Sequence, residues 1–107
     1  MCENSREFYV LLDASEKNKI YIKYAYSADF LSIDEFVLIY LTSVDGVFKE
    51  VVKYDYSQKE PLHVHYYFEK NARKEYLDLL PTIDTIINLH DKICSNWQKY
   101  LLKSKEQ

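Results

Sequence analysis

Hydrophobic and polar residues alternate along much of the first two thirds of the chain, which is typical of strands with one buried face. The clearest case is the segment 20–26, IYIKYAY, where every even-numbered residue is a large apolar or aromatic one. A short apolar run at residues 8–12 precedes it, and the polar residues 13–19 between the two suit a hairpin connection. We therefore predict two strands here. Residues 27–35 fit neither period, and we predict a loop or one helical turn.

Residues 36–41 are apolar at both parities, which predicts a central strand that is covered on both faces or has one face at a subunit interface. Asp45-Gly46 follows and is a strong hairpin signal, because glycine adopts positive φ at little cost. Gly46 is the single glycine of the chain. We predict the return strand over residues 47–56. Its apolar parity carries Phe48, Val52 and Tyr54.

A further strand is predicted over residues 63–68, after the polar connector 57–61. Residues 71–73 can turn the chain back. Residues 74–79 fit either a last short strand or the approach to a helix.

The strongest helix signal lies near the C-terminus. Thr82 is a good N-cap, Pro81 precedes it, and Asp84 places an acid in the first turn. Lysines suit the other end of the helix. Apolar residues recur at steps of three and four over more than four turns and predict one buried stripe: Ile83, Ile86, Ile87, His90, Ile93, Cys94, Trp97, Tyr100 and Leu101.

These elements predict a single α+β domain over residues 1–107, an antiparallel meander of four to six strands with one long C-terminal helix packed on one face. A length of 107 residues, 48% of them hydrophobic, supports one core. The net charge of −3 and the presence of only two arginines argue against a general electrostatic grip on nucleic acid. One glycine excludes the glycine-rich phosphate loops of Walker or Rossmann type.

The sequence has no cysteine pattern typical of a disulfide framework and no segment typical of a targeting signal. Cys2 and Cys94 lie at opposite ends of the sequence, so neither a disulfide framework nor a cysteine-type zinc site is expected. Residues 1–7 lack the apolar core of a signal peptide, and the run 36–41 is too short to span a bilayer. We predict a cytoplasmic protein with no membrane partner and no cofactor.

The eleven tyrosines lie mostly in or beside predicted strands. Aromatic sheets can stack RNA bases, but such surfaces usually carry many cations, and lysines are sparse beside these strands. We therefore predict that most tyrosines serve core packing and subunit contact in a homo-oligomer.

The residues with the clearest chemical potential are His63 and His65. Residues i and i+2 of a strand point to the same face about 6.5 to 7 Å apart. Tyr67 and Glu69 continue that face, and Asp55 can join it from the preceding strand because the connector reverses the chain. Two imidazoles that titrate near neutral pH, together with a carboxylate, suit general acid–base chemistry.

Three interpretations of this cluster stay open. One is a metal-independent ribonuclease site, in which one histidine deprotonates the 2′-hydroxyl and the other protonates the leaving oxygen. Another is a metal site of two histidines and an acid. The third is a pair of exposed histidines without a role, because His-x-His is a short motif. The residues by themselves leave open whether the protein is an enzyme.

Four residues of the predicted helix also have a structural and a functional interpretation. His90 is expected to be a core residue that faces the sheet and can reach the strand of the two histidines. Cys94 is expected to be a small buried hydrophobic residue. Trp97 and Tyr100 are expected to close the core between helix and sheet.

Three segments together carry a family resemblance: 52–56 (VKYDY), 60–66 (EPLHVHY) and 96–100 (NWQKY). Their pattern of Tyr-Asp, His-x-His and terminal Asn-Trp resembles the TumE-like toxin group and related small uncharacterised prokaryotic families. Those relatives commonly carry an Asp-x-x-His-Gly connector, where this chain has YSQKEP at 56–61.

The resemblance implies a toxin-like protein of a toxin–antitoxin pair, with an antitoxin protein as partner and RNA as target. Asp55, His63 and His65 match the catalytic positions that it implies. The alternative is a non-catalytic homodimeric or protein-binding module with an aromatic-rich sheet, which associates through residues 36–41.

Overall fold

A computed structural model describes residues 4–29 and 32–106 and contains six strands and one helix. The strands form one antiparallel sheet in sequential order, with the helix last. The predicted α+β meander with a C-terminal helix is confirmed, and part of the undecided segment 74–79 belongs to the sixth strand. The elements are β1 (Ser5–Leu11), β2 (Asn18–Tyr26), β3 (Ile33–Val44), β4 (Val47–Ser57), β5 (Glu60–Tyr66), β6 (Arg73–Tyr76) and α1 (Ile83–Lys105).

Helix α1 packs over β3 and β4 and covers one face of the sheet. Two aromatic contacts join the layers: Tyr40 meets Trp97 edge to face at 6.2 Å between ring centroids, and Phe68 stacks on Tyr100 at 5.2 Å. Trp97 and Tyr100 therefore close the core as predicted. The side chains with 0% exposure lie at the centre of this layer: Ile20, Leu38, Tyr40, Val52, Val64 and Ile93.

The opposite side of the sheet, called the open face below, is not packed against any element of the described residues. Phe36, Leu38 and Tyr40 of β3 lie buried on the side of the helix, and Val37, Ile39 and Leu41 lie half-buried on the open face. The prediction that the chain itself covers both faces of residues 36–41 is therefore wrong. A subunit interface on this side stays a prediction.

The turn between β3 and β4 has the predicted geometry. Asp45 and Gly46 have φ values of 54° and 81°, so both adopt the left-handed conformation of a type I′ hairpin. A β-bulge interrupts the pairing beyond it, since Tyr40 pairs with Val52 but Leu41 pairs with Glu50.

Because of this bulge, one side chain of β4 lies on the face opposite to the predicted one. Phe48, expected to share a face with Val52 and Tyr54, lies opposite Ser43 and is 40% exposed. One extra residue in a strand moves every side chain before it to the other face. The Phe48 ring packs instead under the Lys19 ammonium, 3.9 Å from its centroid.

The start of α1 is as predicted, because the Thr82 hydroxyl accepts a hydrogen bond from the Thr85 N–H at 3.2 Å. The predicted stripe was partly wrong. Ile87 is 51% exposed and Cys94 is exposed, whereas Leu89 is buried. Residues 87 and 94 each follow a buried isoleucine by one position, which rotates them about 100° away from the sheet.

Candidate functional site

The pairing of β4, β5 and β6 gathers polar side chains on the open face. Asp55 lies directly opposite His63, and Lys53 lies opposite His65. On the other side of β5, Lys74 pairs with His65 and Tyr76 with His63. These residues form what we call the histidine patch: Lys53, Asp55, His63, His65, Lys74 and Tyr76. The register thus brings all three candidate residues, Asp55, His63 and His65, to one place.

His63 is held rigidly within the patch. Its side chain is only 3% exposed. Its Nδ1 lies 2.9 Å from the Pro61 carbonyl oxygen, and since a carbonyl only accepts, Nδ1 carries the proton. Its Nε2 lies 3.5 Å from the Glu60 Oε1 carboxylate oxygen. A second proton on this ring would therefore be bound at Nε2 and face the Glu60 carboxylate.

His65 is more accessible and has different surroundings. Its ring meets His63 edge to face at 4.9 Å and stacks parallel on Tyr67 at 5.3 Å. Burial, followed by the nearby charges of His63, Lys74 and Lys53, lowers the pKa of His65 below its usual range. His65 is consequently a neutral imidazole at neutral pH and can accept a proton.

A hydrogen-bonded carboxylate forms the outer edge of the patch. Glu60 Oε2 accepts from Lys74 Nζ at 2.6 Å and from the Tyr76 hydroxyl at 2.8 Å. These two bonds lower the pKa of Glu60, so it stays ionised near neutral pH. Glu60 thereby fixes the position of Lys74 next to His65.

Asp55 faces both the patch and a shallow cleft. Its Oδ2 lies 3.8 Å from Lys53 Nζ, and its side chain is 36% exposed. The cleft, of about 190 Å³, is also lined by Lys23, Val37 and Ser57. A carboxylate at this place can accept hydrogen bonds from a hydroxyl group bound in the cleft.

Two other sequence predictions for the region differ from the structure. Strand β5 ends at Tyr66, so Glu69 does not continue the histidine face, and its carboxylate pairs with Arg73 at 2.7 Å in the following turn. His63 is also not an exposed sheet residue, because Glu60 and Tyr76 pack against it.

His90 does not reach the strand of the two histidines. It lies on α1, on the opposite side of the sheet, and lines a cleft with Phe8 and Tyr24. Cys94 is exposed rather than buried, with Sγ 3.7 Å from His90 Nδ1. Partial burial and Asp91 raise the pKa of the Cys94 thiol, so it has no thiolate character at neutral pH. The prediction that Cys2 takes no part in a disulfide concerns a residue outside the described ranges.

The described residues do not bring two histidines and an acid together as a metal site. Within residues 4–29 and 32–106, no group of three or more His, Cys, Asp or Glu side chains can hold a metal ion. The geometry explains this, since both nitrogens of His63 face protein oxygens and its ring meets His65 edge to face.

Sequence reasoning did not assign Lys53, Lys74 and Tyr76 to the site. Lys53 stands two residues before Asp55, which is itself a signal of a shared face on a strand. Lys74 and Tyr76 are likewise two residues apart. This spacing indicates a shared face only once residues 73–76 are known to form a strand.

Several tyrosines share the open face with lysines. Lys19 Nζ lies 4.3 Å from the Tyr9 ring centroid, and Tyr9 contacts Tyr21 at 5.2 Å. Tyr40 and Tyr54, in contrast, are core residues, as predicted for most tyrosines. The open face thus combines aromatic rings with ammonium groups along its length.

Comparison with known protein families gives a match of unknown function. The family model of a domain of unknown function, DUF7718, matches residues 3–107. No curated protein and no solved structure matches the sequence. No helix in the described part of the chain is long and apolar enough to cross a membrane.

Proposed function

The chain belongs to the DUF7718 family, whose function is unknown, and we propose from its own residues that it is a toxin-like protein that cleaves RNA at the histidine patch. One observation carries the proposal. His65, a neutral imidazole with a lowered pKa, lies between two lysines on the neighbouring strands, Lys53 and Lys74. A base next to two ammonium groups suits a substrate that is anionic and has a proton to lose.

RNA provides both features at each linkage. In the proposed reaction, His65 takes the proton of the ribose 2′-hydroxyl, and O2′ attacks the adjacent phosphorus. The new O2′–P bond forms as the P–O5′ bond breaks. The leaving O5′ takes a proton from a water molecule, and the hydroxide that remains takes the proton back from His65. The products are a 2′,3′-cyclic phosphate and a 5′-hydroxyl. Lys53 and Lys74 stabilise the charge that develops on the phosphate oxygens.

The other two candidate residues support this step. His63 is a positioning residue, because its buried ring holds His65 through the edge-to-face contact. Asp55 accepts a hydrogen bond from a ribose hydroxyl seated in the cleft beside it. Tyr67, stacked on His65, extends an aromatic surface for a neighbouring base.

The resemblance to the TumE-like toxin group supports the biological part of the proposal. In this proposal the partner that the resemblance implies is a protein antitoxin that blocks the histidine patch. The expected antitoxin is a small protein whose bound form covers β5 and β6 on the open face.

Cleavage of a single-stranded RNA labelled at both ends tests the proposal. We expect the purified protein to produce 2′,3′-cyclic phosphate ends, and His65→Ala to lower the rate by about 10²-fold or more, the usual contribution of a general base. The double variant His63→Ala/His65→Ala should be inactive. His90→Ala is the matched control, because this histidine lies on the opposite side of the sheet.

The pH profile separates the role of His63 from a purely structural one. The rate should fall at acidic pH, below the usual pKa of histidine, as His65 becomes protonated. His63 is one cause of the lowered pKa of His65, so His63→Ala should move this limb to higher pH. A parent protein that leaves RNA intact, or a His65→Ala variant that cleaves as fast as the parent, would contradict the assignment.

A second candidate function is a non-catalytic homodimeric module built on the open face. It is favoured by the half-buried apolar row Val37, Ile39 and Leu41, which no element of the described chain covers. Charges of both signs flank the row, since Lys23 and Asp55 pair with Val37 from the two neighbouring strands, which suits contact with a second copy of the chain. A dimer built on this row would be dissociated by Ile39→Lys, which sedimentation equilibrium detects. A dimer that survives this change does not use the row.

A further inference from the structure

The two edges of the sheet differ in a way that bears on assembly. Exposed edge strands are usually short or charged, which prevents pairing with other chains. The β6 edge follows this rule: it has four residues and carries Arg73, Lys74 and Glu75. The β1 edge has seven residues and exposes large apolar side chains on both faces, Phe8 at 45%, Tyr9 at 55% and Leu11 at 53%.

The backbone of β1 is also open to pairing. Tyr26 N–H donates to the Asn4 carbonyl at 3.0 Å, and Leu12 N–H donates to the Asn18 carbonyl at 2.8 Å. Because hydrogen-bonded pairs alternate in an antiparallel ladder, the even-numbered residues of β1 bond to β2. The N–H and C=O groups of Glu7, Tyr9 and Leu11 therefore point away from the sheet.

We propose that β1 pairs with β1 of a second copy of this chain, in an antiparallel ladder centred on Phe8. The sheets of the two copies then continue into one twelve-stranded sheet about a twofold axis. Glu7 of each copy exchanges backbone hydrogen bonds with Tyr9 of the other, and the two Phe8 residues face each other on the side of the helices. This surface is distinct from the histidine patch, which lies at the opposite edge of the sheet.

The side chains favour a second copy as the occupant. In this register Arg6 lies opposite Val10, and no charged residue faces a like charge. A register centred on Glu7 would instead place two carboxylates opposite each other, which is unfavourable. Only the register centred on Phe8 pairs all seven residues of the strand with their counterparts.

The helix side of β1 adds apolar contact. Phe8 and Val10 line a mainly apolar cleft of about 370 Å³ together with Ile22, Ile86 and Ile87. Pairing of the Phe8 residues across the axis joins the clefts of the two copies into one apolar surface. This accounts for Phe8, which is 45% exposed in the single chain.

Cysteine cross-linking tests the pairing and its register. In a background with Cys2→Ser and Cys94→Ser, Phe8→Cys should form a disulfide-linked dimer under mild oxidation. Cα atoms in a non-hydrogen-bonded antiparallel pair lie about 4.5 Å apart, within the range of disulfides. Leu11→Cys is the matched control: it lies three residues from the axis, so the two thiols are far apart and should not cross-link. Equal cross-linking of both variants would overturn the register.

A second variant tests whether β1 is the interface. Tyr9→Pro removes an N–H that β2 does not use, a change that an edge strand tolerates. We expect Tyr9→Pro to be folded by circular dichroism and to sediment as a monomer at concentrations where the parent is a dimer, with Ile39→Lys still dimeric. A monomeric parent, or dissociation by Ile39→Lys rather than Tyr9→Pro, would refute the proposal without affecting the test of RNA cleavage.

Discussion

We expect Ile93→Ala to lower the free energy of unfolding by about 2–4 kcal/mol, a large part of the stability of a domain of this size. Ile93 has 0% exposure and lies on α1 at the interface with the sheet. Truncation removes buried apolar surface and leaves a cavity that its rigid sheet neighbours cannot fill. Urea denaturation monitored by Trp97 fluorescence measures the change.

Ile87→Ala is the matched control on the same helix. Its side chain is 51% exposed, so the substitution should change stability by less than about 1 kcal/mol, with alanine's higher helix propensity offsetting the lost contact. Equal losses for the two variants would mean that Ile87 is also buried, as the sequence stripe alone suggested.

The second large effect is expected for Asn18→Ala, at about 2–4 kcal/mol. Asn18 is buried, and its Oδ1 accepts hydrogen bonds from the Tyr40 hydroxyl at 2.6 Å and the Thr42 hydroxyl at 2.8 Å. Alanine leaves both buried hydroxyls without this acceptor, and each unsatisfied group costs about 1–3 kcal/mol. Thermal denaturation of the purified variant measures the loss.

The same substitution has a local signature. Asn18 Nδ2 donates to Asp13 Oδ2 at 2.8 Å, and this bond is the largest cause of the lowered pKa of Asp13. Asn18→Ala should therefore raise the pKa of Asp13 toward its usual value, which NMR titration detects. An unchanged Asp13 pKa would show that the side chains are not bonded.

Tyr54→Phe is the control for the hydroxyl argument. Tyr54 is 1% exposed, and among the described residues its hydroxyl oxygen has no hydrogen-bond partner. Its removal should leave stability unchanged or slightly higher, because no bond is lost and a desolvated polar group disappears. A loss comparable to that of Asn18→Ala would indicate a partner for this hydroxyl.

Much of the fold was predictable because its signals are local. Alternation at residues 20–26, the Asp45-Gly46 turn and the Thr82 cap each depend on neighbours within a few positions, and each is present in the structure. The wrong predictions concern positions where a shift of one residue changes the face on which a side chain lies. The bulge in β4 moved Phe48 to the open face, and residues 87 and 94 lie one position beyond the buried line of α1.

The candidate site was predictable only in part. The spacing of His63 and His65 placed both on one face, since a strand has a period of two. The neighbours of His65 come from β4 and β6, and their registers depend on the bulges and turn lengths of the whole sheet. No local pattern specifies that Lys53 and Lys74 lie on either side of this imidazole.

The sequence by itself determined the class of fold, the order of the first five strands and the helix, the start of the helix and the ribbon that carries Asp55, His63 and His65. These follow from periodicity, caps and turns, which act over a few residues. Only the tertiary structure decided which face the helix covers, that His63 is buried while His65 is accessible and neutral, and that β1 is the unprotected edge. Burial, pKa and edge exposure are properties of groups brought together from distant parts of the chain, so they exist only after the strands have paired.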